Sequence, residues 1–335
     1  MHLLRRQALK LGLCLVAVPG LAHAEDAPHD AMARWLAGMP SSPLPATPEW
    51  LAYARAEDLR WQRASARVTA MQEWSARELT PLLPADRPVF YPFAGPDALY
   101  ACALFGGAPR LVLVGLEPVG VVPDPTRPPQ RYFERLGAAL ADLHRLTFFR
   151  THAMQTDFKQ DGVVGALVAT IARLGGKVTS IETSASPSSA RISWTTPAGL
   201  ARRLDYLQAD LANAGMKAHP ELLATVRALA PYVTFVKAAS YLLREPRFSA
   251  IRQAMLDDSA VVVQDDTGIP FRLFDGRWAM RFFGRYETPG SPFEDQEQPD
   301  LREAFEKRAR TPIPFGLGYH IDARHSNLTV AVKGP

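Results

Sequence analysis

Short apolar runs alternate with stretches of helical periodicity along most of this chain, and their order predicts an α/β fold. Residues 89–91 and 111–116 read as short strands, the second fully buried, and between them a turn at Gly95-Pro96-Asp97 opens an apolar helix over 98–105. Strand, turn, helix and strand in that order predict a parallel pair. After a proline-punctuated loop at 123–129, helical spacing returns over 132–149 and again over 163–174, where Gly175-Gly176 ends it. Residues 177–182, 190–195 and 203–208 predict three strands, the last two alternating polar with apolar side chains as antiparallel strands often do. A second strand and helix rhythm follows, with helices over 220–229 and 248–256 and strands over 232–236 and 260–263. Strands over 278–283 and 327–332 flank a charged helix at 300–310.

Upstream, the pattern changes to one long helix. Thr47-Pro48-Glu49 supplies a capping hydroxyl, a first-turn proline and an early acid, and the helix should run to about Leu79. Trp50, Ala54, Trp61, Ala64, Val68, Met71 and Leu79 follow helical spacing, whereas Glu57, Arg60, Arg63, Arg67 and Arg77 are expected to face solvent. Residues 25 to about 47, rich in Pro, Ala and Ser, predict a loosely ordered lead with a short helix around 31–36. The expected architecture is a three-layer Rossmann-like α/β domain with a mixed sheet over 81–335, preceded by a helical N-terminal extension over 25–80.

The first residues carry a different signature. Arg5, Arg6 and Lys10 precede the apolar stretch 11–18, Pro19 and Gly20 interrupt it, and Ala22-His23-Ala24 places small residues where a signal peptidase cuts. Residues 1–24 therefore read as a cleaved signal peptide, and the mature chain as periplasmic or secreted. Arg5-Arg6-Gln7-Ala8-Leu9-Lys10 resembles the twin-arginine export signal, which implies transport in the folded state. Bulky Leu13 before Cys14 argues against an acyl anchor, and beyond the signal no stretch is long and apolar enough to predict a membrane span.

Cleavage changes the charge and the cysteine count. It removes three of 38 basic residues and none of 34 acidic ones, leaving 35 against 34. A nearly neutral chain outside the cytoplasm lacks the electrostatic footprint of a nucleic-acid binder. Cys102 is then the one remaining cysteine, and its apolar neighbours, without a basic residue beside it, predict a buried, inert thiol.

Ligands of open parallel sheets bind outside the carboxyl ends of the strands, so the turns after the strands hold the candidate site. They contain Tyr91, Gly95 and Asp97, then Glu117, Asp210, Lys237 and finally Asp265. Glu117 ends a buried strand and must be solvated or paired. Asp97 could instead cap the following helix. Adjacent Asp265 and Asp266 point to opposite faces and do not easily serve one site. The expected partner is a small polar molecule of unassigned identity.

The turns Tyr91-Pro92-Phe93-Ala94-Gly95-Pro96-Asp97 and Gly115-Leu116-Glu117-Pro118-Val119-Gly120 resemble the opening of the class I S-adenosylmethionine-dependent methyltransferase fold. That resemblance implies that Gly95 and Asp97 lie near the cofactor's amino acid and that Glu117 takes the ribose hydroxyls, with Asp210 and Lys237 ending later strands. The chain departs from the pattern in having one glycine in the first turn, a proline at position 96 and extra strands within the fold. The phrases YPFAGPD, GLEPVG and QDDTGIP also resemble a family of uncharacterised exported bacterial proteins, which implies no activity.

Other chemistry is poorly represented. His29, His144, His152, His219, His320 and His325 form no HExxH pair, although His320 and His325 flank Asp322 as an improvised site could. No Gly-x-Ser-x-Gly elbow or phosphate-binding Walker loop occurs, and a hydrolase centred on Ser240 would require a base such as His320 beside it. An envelope interaction module would instead show an exposed aromatic patch on the Trp50, Trp61 and Trp74 helix.

Overall fold

The computed structural model describes residues 28–148, 158–308 and 310–334, so the predicted export signal and His152 lie outside the described residues. One nine-stranded sheet runs through the molecule in the order β3-β4-β5-β2-β1-β6-β7-β9-β8. Its centre is β1 (Val89–Tyr91), flanked in parallel by β2 (Arg110–Gly115) and β6 (Tyr232–Val236). Beyond β2 lies parallel β5 (Ala201–Gln208), from which β4 (Ser188–Thr195) and β3 (Lys177–Ala185) extend as an antiparallel meander. Beyond β6 lies parallel β7 (Ser259–Gln264), followed by reversed β9 (Asn327–Lys333) and, at the edge, β8 (Trp278–Gly284). The central strands are covered on both faces, which is why they read as unbroken apolar runs.

Alternate residues of these strands feed two cores. Tyr91, Leu111, Leu113, Val233 and Phe235 pack toward α1 (Pro28–Leu36), α2 (Pro48–Trp74), α3 (Ala98–Leu104), α4 (Tyr132–Arg145) and α5 (Val164–Arg173). Phe90, Val112, Val114 and Val262 pack toward α6 (Asn213–Ala218), α7 (Pro220–Arg227) and α8 (Ser249–Asp258). The result is a three-layer Rossmann-like mixed sheet. The charged helix α9 (Pro299–Lys307) lies against β8 through Leu301 and Phe305.

Three local expectations are corrected, and one helix has no counterpart in the sequence reading. The helix at 132–149 ends at Arg145, because Leu146 turns extended and releases Thr147 for long-range hydrogen bonds. Helix α6 had no apolar periodicity to reveal it, since only Met216 is buried. Glu57 is not on the solvent face of α2: it is fully buried, 3.1 Å from His144 Nδ1 and 3.0 Å from Arg60. Nor does α2 present an aromatic patch. Trp50 donates to the Trp35 carbonyl, Trp74 is enclosed between Phe283 and Phe315, and half-buried Trp61 packs edge-on against His144.

Candidate functional site

Around the point where strand order reverses, the turns leaving β1, β2, β5 and β6 diverge and leave a cleft of about 120 Å³. Tyr91, Gly95, Glu117, Asp210 and Lys237 line it, together with an aromatic pair the sequence did not single out, Phe93 and Phe248, whose rings meet edge to face at 5.6 Å. The turns after β1 and β2 close tightly on one another. A Cβ on Gly115 would sit 2.6 Å from the Tyr206 hydroxyl and 2.8 Å from the Gly95 Cα, so only glycine permits this approach.

Asp97 stands behind the wall. Its Oδ1 accepts the Tyr100 N–H at 3.2 Å and so caps α3, while Oδ2 accepts the Tyr91 hydroxyl at 2.9 Å and lies 2.8 Å from Lys237 Nζ. Lys237 also donates to the Thr147 carbonyl at 2.6 Å and rests 4.2 Å above the Tyr100 ring. Both charges are almost completely buried. Such a pair is tolerated only when further hydrogen bonds occupy its remaining lone pairs and protons, and these partners do so. Burial, with Asp97 next in effect, pushes the Tyr91 hydroxyl well above the usual phenol range, so Tyr91 stays a donor.

Glu117 is 2% exposed yet borders the cleft. The Tyr206 hydroxyl lies 2.9 Å from its carbonyl and 3.4 Å from its carboxylate. Burial raises its pKa, and the neighbouring backbone N–H groups and Tyr206 oppose that rise. Asp210 sits at the exposed rim, where Oδ1 accepts the Ala212 N–H at 2.8 Å as a turn bond.

The segment after Lys237 is strained. Ala238, Ser240 and Tyr241 have φ of 49°, 48° and 56°, and Phe93 across the cleft has 57°, all in the left-handed region that costs a β-carbon residue roughly 1–3 kcal/mol. Side chains from outside the cleft hold it. Asp265 Oδ2 accepts the Ala238 N–H at 2.8 Å, Thr267 Oγ1 accepts the Ala239 N–H at 2.8 Å, and Tyr241 donates to Asp266 at 2.6 Å. The Tyr319 hydroxyl donates to the Ala238 carbonyl at 3.1 Å and lies 2.8 Å from Ser240 Oγ. Asp265 is therefore a clamp behind the loop and not part of the cleft wall. Its burial, and secondarily Asp266, push its pKa up to about 7.

The groups in the lining able to accept a proton are the Glu117 and Asp210 carboxylates. No histidine among the described residues borders the cleft, and Ser240, which does line it, has Tyr319 as its hydroxyl partner. His325 pairs with Glu287 at 2.8 Å and Asp322 with Arg324, so His320, Asp322 and His325 do not form a joint site. Cys102 is half-buried and not enclosed as expected; desolvation, then Asp97, pushes its thiol up to about 12, in agreement with an inert role.

No family model matches the chain, and no curated protein matches it. Among solved structures, that of the plantazolicin methyltransferase BpumL in complex with SAH aligns with 92% of this chain and 95% of that chain, at 8% identity and a TM-score of 0.31.

Proposed function

We propose that the strand-end cleft binds a small, hydroxyl-bearing polar molecule, with Glu117 as the principal acceptor. The observation that carries this reading is a buried carboxylate held at the wall of a cleft whose opposite side is a strained loop. Strain of that kind persists where a site is pre-shaped. Phe93 and Phe248 supply an apolar face and Asp210 adds an acceptor at the rim, while the protons of Tyr91 and Lys237 are taken by Asp97 and the Thr147 carbonyl. A cleft of about 120 Å³ suits a monosaccharide-sized or smaller ligand, since drug-sized molecules occupy roughly 300–1,000 Å³.

The sheet order bears on a second reading. Without the β3 and β4 extension, seven strands remain in the order β5-β2-β1-β6-β7-β9-β8, with β9 alone reversed, consistent with the methyltransferase-like fold that the turns resemble. The residues do not fit its cofactor. Glu117 stands where ribose hydroxyls would be taken, but an amino-acid end near Gly95 and Asp97 would meet the Lys237 ammonium. Asp97 is already committed to that lysine, and the Ala94 and Gly95 N–H groups to the Val114 carbonyl. No methyl-transfer step follows from this arrangement.

Thermal unfolding of the purified protein against monosaccharides, polyols, nucleosides and S-adenosylmethionine tests the reading. A ligand at a hundredfold its Kd stabilises by about 2.7 kcal/mol. A shift given by a hydroxylated compound and lost in Glu117→Gln supports the site. A shift with S-adenosylmethionine alone, or one indifferent to Glu117, overturns it. We also infer that the chain is exported and cleaved before Glu25. N-terminal sequencing of the protein recovered from the periplasm or medium of an expressing bacterium checks this, and a start at Met1 in the cytoplasm refutes it.

A further inference from the structure

A second pocket, of about 210 Å³, lies at the other end of the strands from the cleft, where the ends of α3 and α5 meet the sheet. Leu111 and Arg202, which line it, are the second residues of parallel β2 and β5, whereas the cleft lies beyond the last residues of those strands. Phe105, Leu111, Ile171 and Trp194, all buried, form its apolar wall. A Cβ on Gly176 would sit 2.7 Å from Ile171 Cγ2 and 2.8 Å from Trp194 Cδ1, so glycine at this position lets α5 and β4 approach and fixes two sides of the pocket.

The polar groups in this lining are few and mostly donors. Arg202 is half-buried, and its Nε donates to the Gly106 carbonyl at 3.2 Å and its Nη1 to the Ala201 carbonyl at 2.9 Å. It has no carboxylate partner among the described residues, and its Nη2 has no acceptor there. Trp194 is 7% exposed, and its indole N–H likewise has no acceptor among the described residues. The Thr196 hydroxyl accepts the Leu200 N–H at 3.2 Å and keeps its own proton to donate, and Gln72 adds an amide. No acid and no histidine among the described residues lines the pocket. A guanidinium without a counter-charge beside an apolar wall selects an anion with an apolar body.

We propose that this pocket binds a compact monocarboxylic acid, with its aromatic or short aliphatic body against Phe105, Ile171 and Trp194 and its carboxylate on Arg202. The planar guanidinium matches a carboxylate and gives a charge-assisted hydrogen bond from Nη2. A space of about 210 Å³ is smaller than the roughly 300–1,000 Å³ of drug-sized sites, which restricts the body to about one ring or a short chain. A neutral hydrocarbon would leave Arg202 without a counter-charge, and a dicarboxylate would bury its second charge against the apolar wall. The pocket shares no lining residue with the strand-end cleft, so the proposal stands apart from the function assigned there.

Isothermal titration calorimetry of the full chain with benzoate and hexanoate tests this, with benzamide and hexanamide as neutral counterparts of the same shape. Acids that bind roughly tenfold more tightly than their amides, and that lose roughly tenfold in affinity in Arg202→Gln, support the proposal. Cys102→Phe, which fills the pocket from α3, should abolish binding of both acids. Equal binding of acids and amides, acid binding indifferent to Arg202→Gln, or no binding of either acid overturns the proposal. Acid binding lost in Glu117→Gln but kept in Arg202→Gln would place the ligand in the strand-end cleft and overturn it as well. Unchanged thermal unfolding of Arg202→Gln separates lost binding from lost folding, and the contrast between acid and amide on the wild-type chain needs no variant at all.

Discussion

Neutralising Lys237 should be among the most damaging single changes in the chain. Lys237→Met keeps most of the apolar stem but removes an ammonium that lies 2.8 Å from Asp97, 2.6 Å from the Thr147 carbonyl and over the Tyr100 ring. Asp97 would keep only the Tyr91 hydroxyl and the Tyr100 N–H, a buried carboxylate short of its counter-charge. Breaking one side of such a pair costs about 3–5 kcal/mol, whereas replacing both sides is often nearly neutral. At about 2 °C per kcal/mol for a chain this large, the single variant should lose roughly 6–10 °C in Tm. The assay is urea unfolding followed by tryptophan fluorescence for Lys237→Met, Asp97→Asn and the double variant. Asparagine preserves the helix cap, so the cycle isolates the charge pair. The double variant should be no less stable than Lys237→Met, giving a coupling of about 2 kcal/mol or more. A single-variant cost under about 1 kcal/mol, or strictly additive costs, would refute the view that the two charges depend on each other.

Other consequences are simpler to check. Asp265 has a folded pKa above its unfolded one, so the stability it contributes is complete below about pH 4 and is lost as pH rises through about 7. Urea midpoints of wild type and Asp265→Asn over that window should differ in slope, the variant being flatter; equal slopes would locate the titration elsewhere. Glu117→Gln should abolish any ligand-induced thermal shift while changing the Tm of the free protein by only a few degrees, and a collapse of the free protein would make Glu117 structural. Cys102, with its thiol raised to about 12, should resist iodoacetamide in the native protein at pH 8 and react promptly in urea. Rapid native labelling would contradict the inert reading.

What the sequence made legible follows from how each feature is encoded. The central strands β1, β2, β6 and β7 are buried on both faces, so a local apolar run suffices to find them. Tyr91, Glu117 and Lys237 were reachable because topology, not motif, puts strand ends at the reversal of strand order. Features fixed by distant partners were not legible. The burial of Glu57 depends on His144, and the early end of α4 depends on Lys237 and Gly318 receiving Thr147.

Asp265 shows the same limit within the site. In sequence it is one more acid at a strand end, equivalent to Glu117. In the fold it is behind the loop because Ala238, Ser240 and Tyr241 adopt left-handed backbone, which none of these side chains advertises. The pocket at the other end of the strands is harder still, since Phe105, Ile171, Trp194 and Arg202 form no motif and converge only when the ends of α3 and α5 meet the sheet. The near-neutral charge expected of the chain after signal cleavage argues against a broad polyanion footprint but says nothing of a local one. Net charge constrains the far field of a protein, whereas binding is decided by which charges the fold leaves unpaired beside an apolar wall.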